Sequence, residues 1–338
     1  MMGRRWWILG TLLLGCTRPV DPSPSARAPD PPDRLRASPA SPSRSPSAAP
    51  PPAAAPPPDP GPVDLAARYP WLPADRDVSA LDRLDERFQV PSGFTRVPLA
   101  AGSFGAWLRG LPLERSGASV VSHRGELILP PAHRNLAAVV AIDIGAQDLQ
   151  QCADSVIRLH AEWAWSRGRR DQSYRAASGA EMPFARWASG ERVTVSGPAG
   201  SKLTWAPAAR ADSSHRAFRA YLDSVFGWAN TVALARDTTP TALADLRPGD
   251  FVVQPGGPGH AVLVLDLAAA PDGRRVVLLG QGFMPAQSFQ ILHPGKQDPD
   301  STPGNVGDGA WFRIDETGLA TPFWPRFPWT ALRRFPRA

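Results

Sequence analysis

No aromatic residue lies between Trp7 and Tyr69, and the intervening stretch is largely Pro, Ala and Ser with scattered Arg and Asp. Such a stretch cannot bury enough apolar surface to offset the entropy of ordering it. Runs such as Ala-Ala-Pro-Pro-Pro favour extended polyproline conformations, so roughly 45 residues at about 3.1 Å each reach ~140 Å. A packed core must therefore come from residues 65–338, which hold 12 − 2 = 10 of the tryptophans. That length suffices for one large core, and it contains no internal repeat and no second linker. The expected organisation is a leader over 1–15, a tether over 16–64 and a single globular domain over 65–338.

Arg4 and Arg5 precede a short apolar run, residues 6–14, that ends in Leu13-Leu14-Gly15-Cys16. A charged start, a brief apolar stretch and a small residue before the cleavage point make up a signal peptide. The run is shorter than the roughly 20 residues that span a bilayer. Leu-Leu-Gly-Cys resembles the lipobox at which bacterial envelope lipoproteins are diacylated and cut before the Cys. The resemblance implies that Cys16 becomes the lipidated first residue of an exported, membrane-anchored protein, on the periplasmic face of the outer membrane in a diderm cell. Two or more acyl chains anchor a protein stably, whereas one does so only marginally. An ordinary signal peptide with an incidental Cys is the alternative. After cleavage the formal charge is 37 − 2 − 31 = +4, and only Lys202 and Lys296 are lysines. With no basic stripe interleaved with aromatics, nucleic acid is not an expected partner.

Periodicity predicts an α+β fold, with helices packed on an antiparallel sheet. Residues 139–144 read as a short strand. A helix follows, with Asp148 and Gln151 in capping-box spacing and Leu149, Cys152, Val156, Leu159 and Trp163 as its apolar stripe. Ser213 or Ser214 caps a second helix that runs through Arg236. Residues 191–196 and 202–206 flank Gly197-Pro198-Ala199-Gly200 as a hairpin. Residues 251–254, 261–267 and 275–279 are strands, the last two joined by the turn Pro271-Asp272-Gly273; 289–292 and 310–314 add two more.

Cys152 falls in the first turn of its helix, where unpaired N–H groups favour a thiolate. With Cys16 acylated it is an unpaired thiol in an exported protein, an unusual feature. The same periodicity places it on the apolar stripe, where a cysteine serves as a small inert hydrophobe. His123, His133, His160, His215 and His293 show no metal-ligand spacing and read as surface or core histidines; no metal or cofactor is expected. Asp143 either anchors a backbone turn or positions a site. The aromatic tail, Phe323, Trp324, Phe327 and Trp329, reads as core closure, with glycan stacking as the sharper alternative.

The segment Leu246-Arg247-Pro248-Gly249-Asp250, followed by a strand, a loop and His260-Ala261-Val262, resembles part of the NlpC-type cell-wall endopeptidases and related papain-like amidases. There a turn of this kind leads to the strand that opens with the catalytic His. The resemblance implies a papain-like core in which Cys152 is the nucleophile, His260 the base and Gln281 the residue that orients the imidazole. Gln281 or Phe283 falls opposite His260 if Leu267 pairs with Arg274 or Val276, and a one-residue slip turns Gln281 to the other face. The separation 260 − 152 = 108 residues leaves an insertion, 167–212, as a lid or binding element carrying Phe184, Trp187 and Trp205. The strings Gly93-Phe94-Thr95-Arg96-Val97, Ser103-Phe104-Gly105-Ala106-Trp107, Asp148-Leu149-Gln150-Gln151-Cys152 and Gln281-Gly282-Phe283-Met284-Pro285 together resemble a family of bacterial envelope proteins, domain of unknown function 4846.

The functional expectation is an envelope-anchored cysteine hydrolase or acyl transferase acting on amide bonds, with peptidoglycan or another peptide as substrate. The alternative is a non-catalytic binding lipoprotein of the same fold. Structural tethering through the Pro-rich arm is a third class. Replacement Cys16→Ser is expected to abolish metabolic labelling by a fatty-acid probe, and persistent labelling of the variant excludes Cys16 as the lipidated residue.

Overall fold

The computed structural model describes residues 65–196, 202–295 and 309–336. Cys16 and the loop 197–200 therefore lie outside the described residues. The elements that bear on the site are, in chain order, strand β1 (Leu136–Val139), helix α1 (Cys152–Ser166), strands β2 (Glu191–Ser196) and β3 (Lys202–Pro207), and helices α2 (His215–Phe226) and α3 (Thr231–Arg236). They are followed by strands β4 (Phe251–Gln254), β5 (His260–Ala269), β6 (Arg275–Gln281), β7 (Gln290–Leu292), β8 (Leu319–Thr321), β9 (Trp324–Phe327) and β10 (Leu332–Arg334).

The Val- and Leu-rich β5 and β6 form the centre of an open antiparallel sheet, in the order Thr239–Pro240, β10, β4, β5, β6, β7, β1. Short strands Thr95–Arg96 and Phe312–Arg313 pair with β5 and β6 outside that path. Mixed helix and antiparallel sheet is the α+β arrangement that periodicity implies. Both faces of the central strands are buried, which explains their nearly continuous apolar runs. Ala261, Leu263, Leu265, Val276 and Leu278 join Ala153, Val156 and Ile157 of α1 in one core. Val262, Val264, Leu267, Val277 and Leu279 pack on the opposite side against Phe312, Leu319, Phe327 and Leu332.

The register of β5 against β6 changes midway. Ala269, Ala268 and Leu267 pair with Arg275, Val276 and Val277, but Val264 and Leu263 pair with Leu279 and Gly280, so Leu265 is an extra residue between Val264 and Asp266. A bulge of this kind flips which face the remaining side chains occupy. Asp266 pins it: its carboxylate is fully buried, accepts from Arg96 Nε at 2.7 Å and Arg109 Nη2 at 2.6 Å, and also from the Leu267 N–H at 2.8 Å.

Several boundaries differ from the sequence reading. The strand expected over 139–144 is β1, ending at Val139, because Gly145 takes φ +74° and the Asp143 carboxylate is drawn to Arg158 and Arg219 instead of a ladder. The helix expected to run from a Ser213 or Ser214 cap to Arg236 is capped by Ser214 and breaks at Gly227, and Asn230 caps α3 by accepting from the Ala233 N–H at 3.0 Å. Strands β2 and β3 pair as expected, from Glu191↔Pro207 to Ser196↔Lys202. The insertion is no detached lid: Phe184 and Trp187 are buried in the main core, and Phe184 meets Trp165, Phe218 and Tyr221 edge-on or tilted. Trp205 packs on that core partly buried, beneath the Arg186 guanidinium. Of the aromatic tail, Phe327 is buried in the second core, with Phe323, Trp324 and Trp329 packed against it partly buried; Phe335, further on, is buried in the main core.

Replacing Asp266 with Ala leaves two largely buried guanidinium groups without their carboxylate, so the folded state should lose about 3–5 kcal/mol. Denaturant unfolding of Asp266→Ala checks this; a loss under about 1 kcal/mol would mean that the pair does not hold the bulge.

Candidate active site

Helix α1 begins one turn later than the spacing of Asp148 and Gln151 suggests. Gln151 is the N-cap, its side chain accepting from the third helical N–H, while Asp154 returns a bond to the Gln151 N–H at 3.1 Å. Asp148 instead accepts from Gln151 Nε2 at 3.0 Å and from the Ala286 N–H at 2.6 Å, tying the approach to the strand ends. Cys152 thus occupies the first helical position. The helix start lies against the far end of β6: a Cβ added to Gly282 would come within 2.2 Å of Ser155 Oγ and 2.8 Å of the Gln151 carbonyl.

Cys152 is 5% exposed, and its Sγ is 4.0 Å from the Gly259 carbonyl oxygen. The Ala261 N–H also addresses the sulfur. The thiol therefore rests on the backbone on both sides of His260. Burial pushes the thiol pKa up to about 11, opposed by the Ala261 N–H and reinforced by nearby Asp154. The thiolate expected from the helix start is not the resting form, because a first-turn position supplies only partial charge and the desolvation cost is larger. Asp154 is itself pushed up to about 8 by burial, so it is largely protonated at neutral pH and adds little negative charge there.

His260 opens β5 and is fully buried. Its Nε2 lies 2.8 Å from Gln281 Oε1. An amide oxygen only accepts, so Nε2 carries the ring proton and Nδ1 presents a lone pair. Nδ1 is buried and makes no hydrogen bond among the described residues. Burial lowers the imidazole pKa to about 4, against the Gln281 bond, which raises it. The ring is neutral at pH 7. It is sealed by Phe283 and Trp324, each 4.9 Å between centroids, and by Phe327 at 6.2 Å. Trp324 is in turn fixed by an Nε1–H bond to Gln254 Oε1 at 3.1 Å, and Gln254 is the ladder partner of His260.

The bulge explains why Gln281 reaches His260. One step beyond the pair Leu263↔Gly280, Gln281 comes opposite Val262 and lies diagonal to His260 on the same face. Without the extra residue, the Leu267↔Val277 register would carry Gln281 opposite Leu263, leaving Gln281 on the face of Val277 and Leu279 and turning His260 to the helix side. His260 and Gln281 are thus hydrogen-bonded, while Cys152 shares no hydrogen bond with the His260 ring.

The other residues singled out by sequence have structural surroundings. Asp143 binds Arg158 at 2.8 Å and Arg219 at 3.1 Å. His215 pairs with the fully buried Glu162 at 2.8 Å, and His133 stacks on Phe323. Among the described residues no cluster of three His, Cys, Asp or Glu side chains is arranged to hold a metal ion, and no helix is long and apolar enough to cross a membrane. Gln290, the buried ladder partner of Gln281, was not singled out by sequence; its Oε1 lacks a partner, as does Gln281 Nε2. The string Phe289-Gln290-Ile291-Leu292, a polar residue inside an apolar strand, is the signal that marks it.

A family model described as domain of unknown function 4846 matches residues 84–334. The chain belongs to this family. The matched span of the 4846 domain includes Cys152, His260, Gln281, the bulge and the Asp266 ion pairs. No curated protein and no solved structure matches the chain.

Proposed function

We propose that this 4846-domain protein is an envelope lipoprotein, anchored through Cys16, whose domain is a papain-like cysteine hydrolase or acyl transferase acting on amide bonds, with cell-wall peptide as substrate. The observation that carries the reading is the His260–Gln281 bond, which leaves a buried lone pair on Nδ1, while the Cys152 sulfur rests against the backbone on either side of His260. Resting thiol and imidazole are both neutral, so catalysis starts with proton transfer: Nδ1 takes the thiol proton as the sulfur attacks the amide carbonyl. The C–N bond of the tetrahedral intermediate then breaks, and the imidazolium returns that proton to the leaving amine. Water or a second amine resolves the thioester, giving hydrolysis or acyl transfer. The N–H groups of Ala261, Ala153 and Cys152 are directed at the sulfur and stabilise the charge it acquires. Entry of substrate requires the β8–β9 hairpin, which carries Trp324 and Phe327 over the imidazole, to lift.

The complete burial of His260 and the raised thiol pKa favour a second reading, a non-catalytic binding lipoprotein of the same fold. Incubating the full-length protein with amide-linked cell-wall peptides and measuring released amine separates the two. The hydrolase reading expects turnover that Cys152→Ala abolishes and His260→Ala lowers by about 10²–10⁴-fold. A base with its pKa lowered to about 4 must be unprotonated to act, so the rate should hold across neutral pH and fall as pH drops through about 4. Absence of both released amine and a Cys152 thioester across the peptide panel leaves the binding reading in its place.

A further inference from the structure

A second site lies two turns further along α1. A cleft of about 700 Å³ is bounded by α1, the hairpin Ser173–Arg175 and Glu181–Pro183, α3 and the C-terminal Phe335. That volume is in the range of small-molecule sites. Two of its lining side chains are more than nine-tenths buried and each holds an unpartnered polar atom: His160 Nε2 and Gln172 Oε1. Unpaired buried polar atoms are rare in native proteins because each costs its full desolvation.

Both groups are rigidly oriented. The His160 ring stacks on Phe335 at 3.8 Å between centroids and 11° between planes, and meets Phe104 edge-on. Its Nδ1 is 3.0 Å from the Tyr174 hydroxyl. Burial keeps that hydroxyl protonated, and its proton is satisfied by donation to Nδ1, which places the ring proton on Nε2. Gln172 donates from Nε2 to the Arg169 carbonyl at 3.2 Å, which leaves its buried Oε1 as an acceptor without a partner. The charged lining residues balance: Arg175 pairs with Glu181, Arg236 with Asp237 and Arg169 with Asp171. A lining without excess charge suits a neutral ligand better than an anion.

We propose that this cleft binds a secondary amide, whose carbonyl oxygen accepts from His160 Nε2–H and whose N–H donates to Gln172 Oε1. Peptide units and acetamido sugars both carry that group. The site is independent of the cysteine chemistry, since His160 stands eight residues from Cys152, about 12 Å along the helix.

The test titrates full-length protein, isotopically labelled at histidine, with N-acetylalanine methylamide and, separately, with N-acetylglucosamine. A saturable shift of the His160 Nε2 resonance with either probe supports the amide site, and the probe that produces it distinguishes peptide from sugar. Gln172→Met should weaken that probe about tenfold, and Cys152→Ala should leave its binding unchanged even if the hydrolase reading fails. The proposal is overturned if neither probe shifts His160 Nε2 up to saturating millimolar concentration, or if folded Gln172→Met binds as tightly as the parent protein.

Discussion

Between Val264 and Asp266 strand β5 carries one residue more than its neighbour β6, and the rest of the site is referred to that offset. Because side chains alternate faces with period two, an inserted residue moves everything beyond it to the other side of the sheet. Here it turns His260 away from the helix layer and onto the face where Gln281 stands with Val277 and Leu279. Maintaining the irregularity takes an anchor, since a bulge leaves ladder groups unpaired. Asp266 supplies it by engaging Arg96 from one short strand, Arg109 from the helix Phe104–Arg109, and the adjacent Leu267 N–H. Buried carboxylates tolerate such positions only when paired in this way.

A second ionic cluster holds the helix that brings Cys152 to the sheet. Arg158 is fully buried and donates to Glu162, Gln150 and the side chain of Asp143. Asp143 in turn binds Arg219 on α2, and Glu162 binds His215 at the start of the same helix. Loop 141–150, α1 and α2 are thereby locked together around one guanidinium, the side chain best suited to several acceptors at once. The thiol at the head of this assembly is held at the helix start and hydrated poorly, so its surroundings favour the neutral form. The proposed general-base step, with a neutral imidazole taking the thiol proton, is consistent with that neutral form.

Much of the sheet was legible in the residues. Pro271-Asp272-Gly273 between apolar runs marked the β5–β6 hairpin, and Pro248-Gly249-Asp250 followed by His260 marked the strand pair that carries the imidazole. Gln281 was also picked out by resemblance, with Leu267 pairing Arg274 to set it opposite His260 or Val276 to set Phe283 there; neither pairing occurs, the actual partner is Val277, and the bulge brings His260 to the face of Gln281. No local signal announces a bulge in Val262-Leu263-Val264-Leu265-Asp266, because what holds it is Arg96 and Arg109, both distant in sequence. The break at Gly227 was visible as Gly-Trp-Ala-Asn, where Asn230 caps a new helix, but the apolar positions on either side keep helical spacing and mask it. The sign of the thiol shift was not legible, since it depends on how completely the fold buries the sulfur against the start of β5.

The central claim is that His260 is a neutral base whose proton sits on Nε2 against Gln281 and whose lone pair sits on Nδ1. Nitrogen-15 shifts of the His260 ring, followed with pH in the folded protein, report tautomer and protonation directly. The account expects an Nε2-protonated neutral ring throughout the neutral range, with protonation only as pH falls toward about 4. A ring protonated on Nδ1, or an imidazolium titrating at the ordinary histidine value near 6.5, would contradict it.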